Sequence, residues 1–155
     1  MDRNYHYFLD KEGHIWHEGT EMTDPHFAMT IHRALQKTPE GKLLAKCQGE
    51  NCYFEVEDVP YIIQDVAFHK DRTGQLNQVD LLFSGGYMEI LDPSTLQVSS
   101  DNILYCRVRK GEFPARFTRN SYFKLAPFLG EDPSQQKYYL EMKQQRFPIV
   151  QATSV

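Results

Sequence analysis

The sequence has no apolar run that approaches the roughly 20 residues of a membrane-spanning helix, and the stretch from Met1 to Asn4 is polar. We therefore predict neither a signal peptide nor a spanning segment. Cysteine is also scarce, because the chain has only Cys47, Cys52 and Cys106. An odd number of cysteines without a secretion signal is typical of reduced thiols. These absences predict a cytoplasmic protein that does not contact a membrane.

Neither sign of charge dominates the composition. The formal net charge of -4 and the pI of about 5.8 make the chain too acidic for bulk nucleic-acid binding and not acidic enough to indicate disorder. A chain of 155 residues suits one compact unit or two very small subdomains, and it should bury roughly two-thirds of its unfolded surface. Aromatic residues, at 13%, are frequent enough to build a β-rich core.

The signatures of common enzymes are missing. No glycine-rich loop precedes a predicted helix, so the sequence predicts no phosphate cradle. The Ser-Gly-Gly at residues 84–86 lacks the Gly-x-Ser-x-Gly order of a nucleophile elbow and lies between two predicted strands. Glu57 and Asp58 could act as paired carboxylates, but the Asp-Val-Pro at residues 58–60 more simply ends a strand. We therefore predict no catalytic residues.

Histidine is the remaining residue type that could bind a metal. His6 and His17 point to opposite faces of a predicted hairpin, and His26 and His32 lie about 120° apart around a predicted helix. Two of the cysteines could approach each other across a hairpin, but no second pair has the spacing of a structural zinc site. The sequence predicts no structural metal and no cofactor.

Residues 104–129 predict a complete hairpin followed by a capped helix. Alternation around Lys110 and Gly111 assigns one face of the hairpin to the core and the other to solvent. The predicted core face carries Leu104, Cys106, Val108, Phe113, Ala115 and Phe117, and the predicted solvent face carries Tyr105, Arg107, Arg109, Glu112, Pro114 and Arg116. Thr118 can cap the helix by accepting a hydrogen bond from an amide near Ser121, and Pro127 should end it.

The N-terminal third predicts the same order of elements. Residues 5–9 and 14–18 form a predicted hairpin, with Tyr7 and Ile15 on one face and Phe8 and Trp16 on the other. A helix should then start at Pro25, after a cap at Thr23 or Asp24, and end near Lys37. A second hairpin is predicted from residues 42–47 and 52–57.

The middle of the chain predicts an antiparallel meander. Residues 61–68 form an apolar strand long enough to be central, and residues 79–83 form the next strand. A two-residue type I′ turn at Gly85 and Gly86 would return the chain. That turn would put one set of side chains on a common face, namely Leu81, Phe83, Met88 and Ile90. Residues 137–142 and 145–149 predict a last hairpin.

These elements predict an α+β fold with two hairpin-helix-hairpin parts, each ββαββ-like, joined by the antiparallel β-meander. The predicted N-terminal part spans residues 1–59, and the C-terminal part with the meander spans residues 60–150. Residues 151–155 would form a frayed tail. Because the two parts share element order rather than sequence, we treat them as an internal structural duplication.

The functional candidate is a basic cluster in an otherwise acidic chain. Alternation places Arg107, Arg109 and Arg116 on one sheet face, where guanidinium groups could hold a carboxylate or phosphate. Arg119 follows in the predicted helix, and Tyr105 adds an exposed aromatic ring to the same face. The alternative is a solvated strand face whose arginines pair with glutamate.

The chain resembles two related families of unknown function in GHIWHEGTEM through VEDVPYII, and in LYCRVRKGEFPARFTRNSYFKL with the later RFPI. They are the bacterial domain-of-unknown-function family numbered 1285, and family 4505, also called uncharacterised protein family 0598. The second is the closer match, because NYHYFLDKEGHIWHEGTEM resembles its opening hairpin, EVEDVPYII its Glu-Asp-x-Pro turn and LLFSGGYMEIL its glycine hairpin. The resemblance implies a two-part α+β fold and a role in ligand sensing or signalling. It implies no activity and no site residues.

We therefore predict a non-catalytic module that binds a small anionic ligand or a protein partner, with homo-oligomerisation left open. The alternative is a small hydrolase or transferase whose site lies between the two parts. A concave polar cleft with a strongly perturbed carboxylate or histidine would favour the enzyme, and an exposed apolar patch would favour partner binding.

Overall fold

A computed structural model describes residues 3–135 and 137–152, which form an α+β fold made mostly of strands. The first elements in chain order are β1 (Asn4–Leu9), β2 (Ile15–His17), β3 (Thr20–Met22), α1 (Pro25–Ala34), β4 (Gln36–Lys37), β5 (Leu43–Cys47), β6 (Glu50–Val56) and β7 (Tyr61–Ile63). They are followed by β8 (Asp65–Lys70), β9 (Leu76–Leu82), β10 (Met88–Ile90), β11 (Gln97–Val98), β12 (Leu104–Val108) and β13 (Phe113–Phe117). The last are α2 (Arg119–Leu125), β14 (Leu129–Asp132), β15 (Lys137–Met142), β16 (Gln145–Pro148) and β17 (Val150–Gln151). Neither α-helix in these residues is long and apolar enough to cross a membrane.

The N-terminal strands form one six-stranded sheet in the order β3-β2-β1-β6-β5-β4. The first predicted hairpin is confirmed, because β1 and β2 pair with Phe8 opposite Trp16 and Leu9 opposite Ile15. The second predicted hairpin is also present as β5 and β6. What joins the two hairpins is a parallel pairing of β1 with β6, so the outer faces of both form a single surface.

Helix α1 starts where the sequence predicts and ends earlier. The Asp24 carboxylate accepts a hydrogen bond from the His26 amide, and Pro25 follows at the first helical position. The helix ends at Ala34 instead of near Lys37, because the chain turns extended at Leu35 and the next two residues pair with β5 as β4. Backbone groups near the sheet edge are thus satisfied by a strand partner rather than by another helical turn.

The predicted central strand over residues 61–68 is two strands in two different sheets. β7 pairs in parallel with β13, whereas β8 pairs antiparallel with β9. Gln64 lies between them, and its backbone amide donates to the Leu82 carbonyl. The apolar pattern is continuous across the break, so periodicity alone gave no sign of it. The meander itself is confirmed, with β10, β9 and β8 adjacent in one sheet.

The predicted two-residue turn at Gly85 and Gly86 is wrong. Leu82 pairs with Met88, so the connection is a longer loop that contains a 3₁₀ turn at Ser84–Gly86. This changes the register by one residue, and a one-residue slip moves side chains to the opposite face of a strand. Met88 and Ile90, predicted to share a face with Leu81 and Phe83, are 50% and 59% exposed, whereas Leu81 and Phe83 are buried.

The hairpin of β12 and β13 has the predicted core face. All six apolar side chains assigned to that face are buried, and the strands pair with Cys106 opposite Ala115. The Thr118 hydroxyl caps α2 by accepting from the Ser121 amide at 3.2 Å, as predicted. Helix α2 buries Leu125 but leaves Tyr122 exposed.

The predicted duplication is not confirmed. Both N-terminal hairpins share one sheet, but β12 and β13 belong to a sheet of order β17-β11-β12-β13-β7, while β14, β15 and β16 form a separate one. Buried apolar side chains from both halves of the chain form one cluster, and the boundary between residues 59 and 60 stays a prediction. Gln151, assigned to a frayed tail, belongs to β17, which pairs with β11. Residues 153–155 of that tail lie outside the described residues.

Candidate functional site

A polar cleft of about 620 Å³ lies between the turn that joins β1 to β2 and the segment from β13 into α2. Lys11, Glu12 and His14 line it on the side of the turn. Residues from β13 and α2, among them Arg116 and Arg119, line it on the other side. The cleft therefore brings together residues separated by about one hundred positions in the chain.

Hydrogen bonds to one carboxylate hold the turn between β1 and β2. Asp10 Oδ1 accepts from the amides of Glu12 and His14, both at 2.9 Å, and Oδ2 accepts from Trp16 Nε1 at 2.9 Å. Burial raises the pKa of the Asp10 carboxyl, but these hydrogen bonds outweigh that effect and the pKa is lowered overall. An ionised Asp10 thus fixes the turn that carries Lys11.

Gln64 links this turn to the opposite wall. Its side-chain Nε2 donates to the Glu12 carbonyl at 2.8 Å, and its own carbonyl accepts from Asn120 Nδ2 at 3.2 Å. Gly13 leaves the room for this, since a Cβ at that position would lie 2.0 Å from Gln64 Nε2. The break between β7 and β8 therefore provides the residue that connects the two walls.

Arg116 lies in the cleft in a fixed orientation. Its Nη1 donates to Asp58 Oδ2 at 2.9 Å, and the Tyr105 hydroxyl donates to the same oxygen at 2.7 Å. Burial, followed by the hydrogen bond to Asp58, raises the pKa of Tyr105 to about 12, so the phenol stays protonated and continues to donate at neutral pH. Asp58 thus positions the guanidinium rather than acting as half of a carboxylate pair.

Cations outnumber carboxylates in the lining of the cleft, and one of these cations, Arg116, is paired with Asp58. Its lining includes the cations Lys11, Arg116 and Arg119 and one carboxylate, that of Glu12. Arg119 stacks its guanidinium 5.2 Å from the centroid of the Phe123 ring, an arrangement that leaves the guanidinium edge open to an acceptor. This arrangement can bind an anion through charge-assisted hydrogen bonds.

The structure separates the five residues predicted as an anion-binding or partner face. Arg116 and Arg119 line the cleft. The Arg107 side chain folds back on its own turn, where Nε donates to the Gly111 carbonyl at 2.7 Å and Nη2 donates to the Glu112 carbonyl at 3.1 Å. Tyr105 was predicted to be exposed and is 5% exposed, because it belongs to the buried core cluster and its hydroxyl donates to Asp58.

Arg109 leaves the predicted face altogether. It is the first residue after β12 and adopts a left-handed φ of 54°, so strand alternation does not apply to it. Its Nη1 donates to the His32 carbonyl at 2.9 Å and to the Tyr61 hydroxyl at 2.8 Å, and its backbone amide donates to the Glu89 carboxylate at 2.9 Å. These contacts tie the β12–β13 turn to α1 and the meander.

Four residues of the cleft were not predicted from the sequence as site residues, namely Lys11, His14, Gln64 and Asn120. The only local signal was Gly13 in a short turn, which indicated a hairpin and not a binding site. Predicted site residues came from one segment of the chain, whereas the cleft needs long-range contacts between the first and last thirds.

The remaining chemical groups give no second reactive centre in the described residues. Burial raises the pKa of the Cys106 thiol, as expected for a thiol on the core face. No group of three or more His, Cys, Asp or Glu residues within 3–135 and 137–152 could hold a metal ion. His69 Nε2 lies 2.6 Å from Asp80 Oδ2 in the meander, where the Asp80 carboxylate is buried and the His69 ring is exposed.

Buried His32 should make stability depend on pH. Burial lowers its pKa, and a hydrogen bond between Nδ1 and the Ala28 carbonyl at 2.6 Å opposes this only in part. The unfolded chain, with a histidine pKa of about 6.5, binds the proton more readily. The free energy of unfolding should therefore reach its full value above about pH 7.5. Below pH 6.5 it should decrease by at most about 1.4 kcal/mol per pH unit.

Urea unfolding between pH 8 and pH 5.5 checks this prediction. His32→Phe keeps an aromatic ring beside Tyr87 and cannot titrate, so its unfolding free energy should lose most of this slope. An identical slope in both proteins would contradict a titrating His32.

Comparison with known proteins gives the fold. No family model and no curated protein matches the chain. A DUF1285 family protein from Silicibacter pomeroyi DSS-3 superposes with a TM-score of 0.69 at 15% identity, covering 97% of this chain and 84% of that one. A DUF1285 family protein from Shewanella baltica OS155 superposes with a TM-score of 0.59 at 18% identity, covering 78% and 90%. The resemblance to family 4505 is not confirmed. At these identities the likeness concerns the fold alone, and this chain has the fold of the DUF1285 family proteins.

Proposed function

We propose that the protein is a non-catalytic module that binds a small anionic ligand in the cleft between the β1–β2 turn and the β13–α2 segment. The observation that carries the proposal is the convergence of Lys11, Arg116 and Arg119 on one concave surface whose lining has one carboxylate, that of Glu12, while Asp58 outside the lining pairs with Arg116. In a chain of net charge -4, an anion finds its most favourable potential where cations from separate segments meet.

Arg116 is the anchor in this proposal. Its guanidinium is largely buried, and Asp58 accepts from Nη1 of this group. A guanidinium has five N–H donors in a planar fork, so a carboxylate or phosphate oxygen can bind beside Asp58. Partial burial reduces screening by salt and makes each such contact stronger than at an open surface.

A ligand held by both walls would couple them. Lys11 belongs to the N-terminal sheet and Arg119 to α2, and Gln64 bridges the walls through two hydrogen bonds. An anion in contact with both cations would stabilise this one arrangement, which is the property that ligand sensing requires. Partner docking, self-association and a cytoplasmic location stay predictions, as does the alternative of a hydrolase or transferase site.

Inorganic phosphate and citrate serve as probes for the cleft. At low salt, NMR titration should shift the amides around Lys11 and Arg119, and Arg119→Gln should weaken binding about tenfold, since a charge-assisted contact contributes about 1.5 kcal/mol or more. Arg107→Gln is the matched control, because the Arg107 guanidinium donates to carbonyls of its own turn and does not line the cleft. Shifts elsewhere, or equal losses in both variants, would refute the site.

A further inference from the structure

A second groove, of about 730 Å³, lies on the outer face of the N-terminal sheet. Pairing across three strands builds it. Phe8 on β1 lies opposite Trp16 on β2 and opposite Glu55 on β6, and His6 lies opposite Tyr53. Because these residues share one parity along paired strands, their side chains leave the same face of the sheet.

The aromatic rings of this groove are not buried by the fold. Phe8 is 41% exposed, although phenylalanine is among the residues most often buried. His6 stacks on Tyr53 with ring centroids 5.6 Å apart and an interplanar angle of 20°. Trp16 is partly exposed, and its Nε1 is directed away to Asp10, so the groove offers ring surface rather than the indole donor.

The charges around these rings favour a cation. Glu18 and Glu55 line the groove, and both are exposed. The chain's own Lys42 places Nζ 5.9 Å from the centroid of the Tyr53 ring, so the groove already accommodates one ammonium group against an aromatic face. Aromatic rings with nearby carboxylates attract cations through the ring quadrupole and through charge.

We propose that this groove binds a small organic cation with an alkylated ammonium head, seated against Phe8 and Trp16 and paired with Glu55. A methylated ammonium is the form that fits, because its methyl groups cover apolar ring surface while its charge interacts with the rings and the carboxylate. An anion would meet Glu18 and Glu55, and a neutral apolar group would gain nothing from them. This site is separate from the anion cleft and does not depend on it.

Choline is the probe, and 3,3-dimethylbutan-1-ol is its neutral counterpart of the same shape. Trp16 is the only tryptophan of the chain, so its fluorescence reports directly from the groove. Choline should change the emission in a saturable way, and the alcohol should bind at least tenfold more weakly. Equal affinity for the two compounds, or no saturable change with choline, would overturn the proposal.

Two variants separate charge and ring effects. Glu55→Gln and Phe8→Leu should each weaken choline binding about threefold to tenfold, the first by removing the carboxylate and the second by replacing a ring with an aliphatic group of similar volume. Phe8→Tyr keeps an aromatic ring and should bind choline as the parent protein does. Glu141→Gln replaces an exposed carboxylate on β15 and should leave choline binding unchanged. Circular dichroism checks that each variant is folded. Full choline affinity in both Glu55→Gln and Phe8→Leu would overturn the site.

Discussion

Replacing Gly85 with alanine is expected to lower the free energy of unfolding by about 2 to 5 kcal/mol. Gly85 has a φ of +77°, and a Cβ there would lie 2.6 Å from both the Met29 amide nitrogen and the Pro25 carbonyl oxygen. These are backbone atoms of α1, whose start is fixed by the Asp24 cap and by Pro25. The substitution therefore adds left-handed backbone strain and forces the loop away from the helix.

Gly86→Ala is the control that separates these two effects. Gly86 also has a positive φ, of +84°, but its nearest neighbour would be the flexible Met29 Cε at 3.7 Å. Gly86→Ala should therefore lower the free energy of unfolding only by the backbone strain, about 1 to 2 kcal/mol. Urea unfolding with a common m-value measures both. Equal losses in the two variants would show that the close approach of the loop to α1 contributes nothing.

Replacing Arg109 with alanine is expected to lower the free energy of unfolding by about 2 to 3 kcal/mol. The variant loses the charge-assisted hydrogen bonds from Arg109 Nη1 to the His32 carbonyl and the Tyr61 hydroxyl. Burial, the largest factor, raises the pKa of Tyr61 to about 12, and the nearby Arg109 opposes this. The left-handed φ is common to arginine and alanine at this position, so backbone strain cancels in the comparison.

Arg107→Ala is the matched control, because both arginines belong to the same hairpin. The Arg107 guanidinium donates to carbonyls of its own exposed turn, and the loss of this side chain should change stability by no more than about 0.5 kcal/mol. Alternation alone places both arginines on the solvent face of the hairpin, where replacing either should cost little stability. Thermal or urea unfolding of the single variants decides between these expectations, and a stable Arg109→Ala protein would restore the sequence-based view.

Local signals predicted the local structure well. The hairpin of β1 and β2, the cap at Asp24 and the core face of β12 and β13 all follow from neighbours within a few residues. Alternation, capping side chains and proline positions act at that range, so they are readable from sequence. Two of the cleft cations, Arg116 and Arg119, were also identified.

Errors arose where a distant partner decides the conformation. The apolar pattern of residues 61–68 is compatible with one strand. The segment before Gln64 instead pairs with β13, and the segment after Gln64 pairs with β9. The loop at Gly85 is longer than a type I′ turn, and it lies close against α1. In both places the backbone satisfies tertiary contacts that local propensity does not encode.

The sequence by itself thus determined the α+β class, most hairpins, both helix starts and the basic character of one segment. Only the tertiary structure decided which arginines reach a cleft, because parallel pairings such as β1 with β6 and β7 with β13 join strands distant in the chain. Strand pairing depends on which backbone edges meet and on burial across the whole molecule, and these are properties of the assembled fold rather than of any one segment.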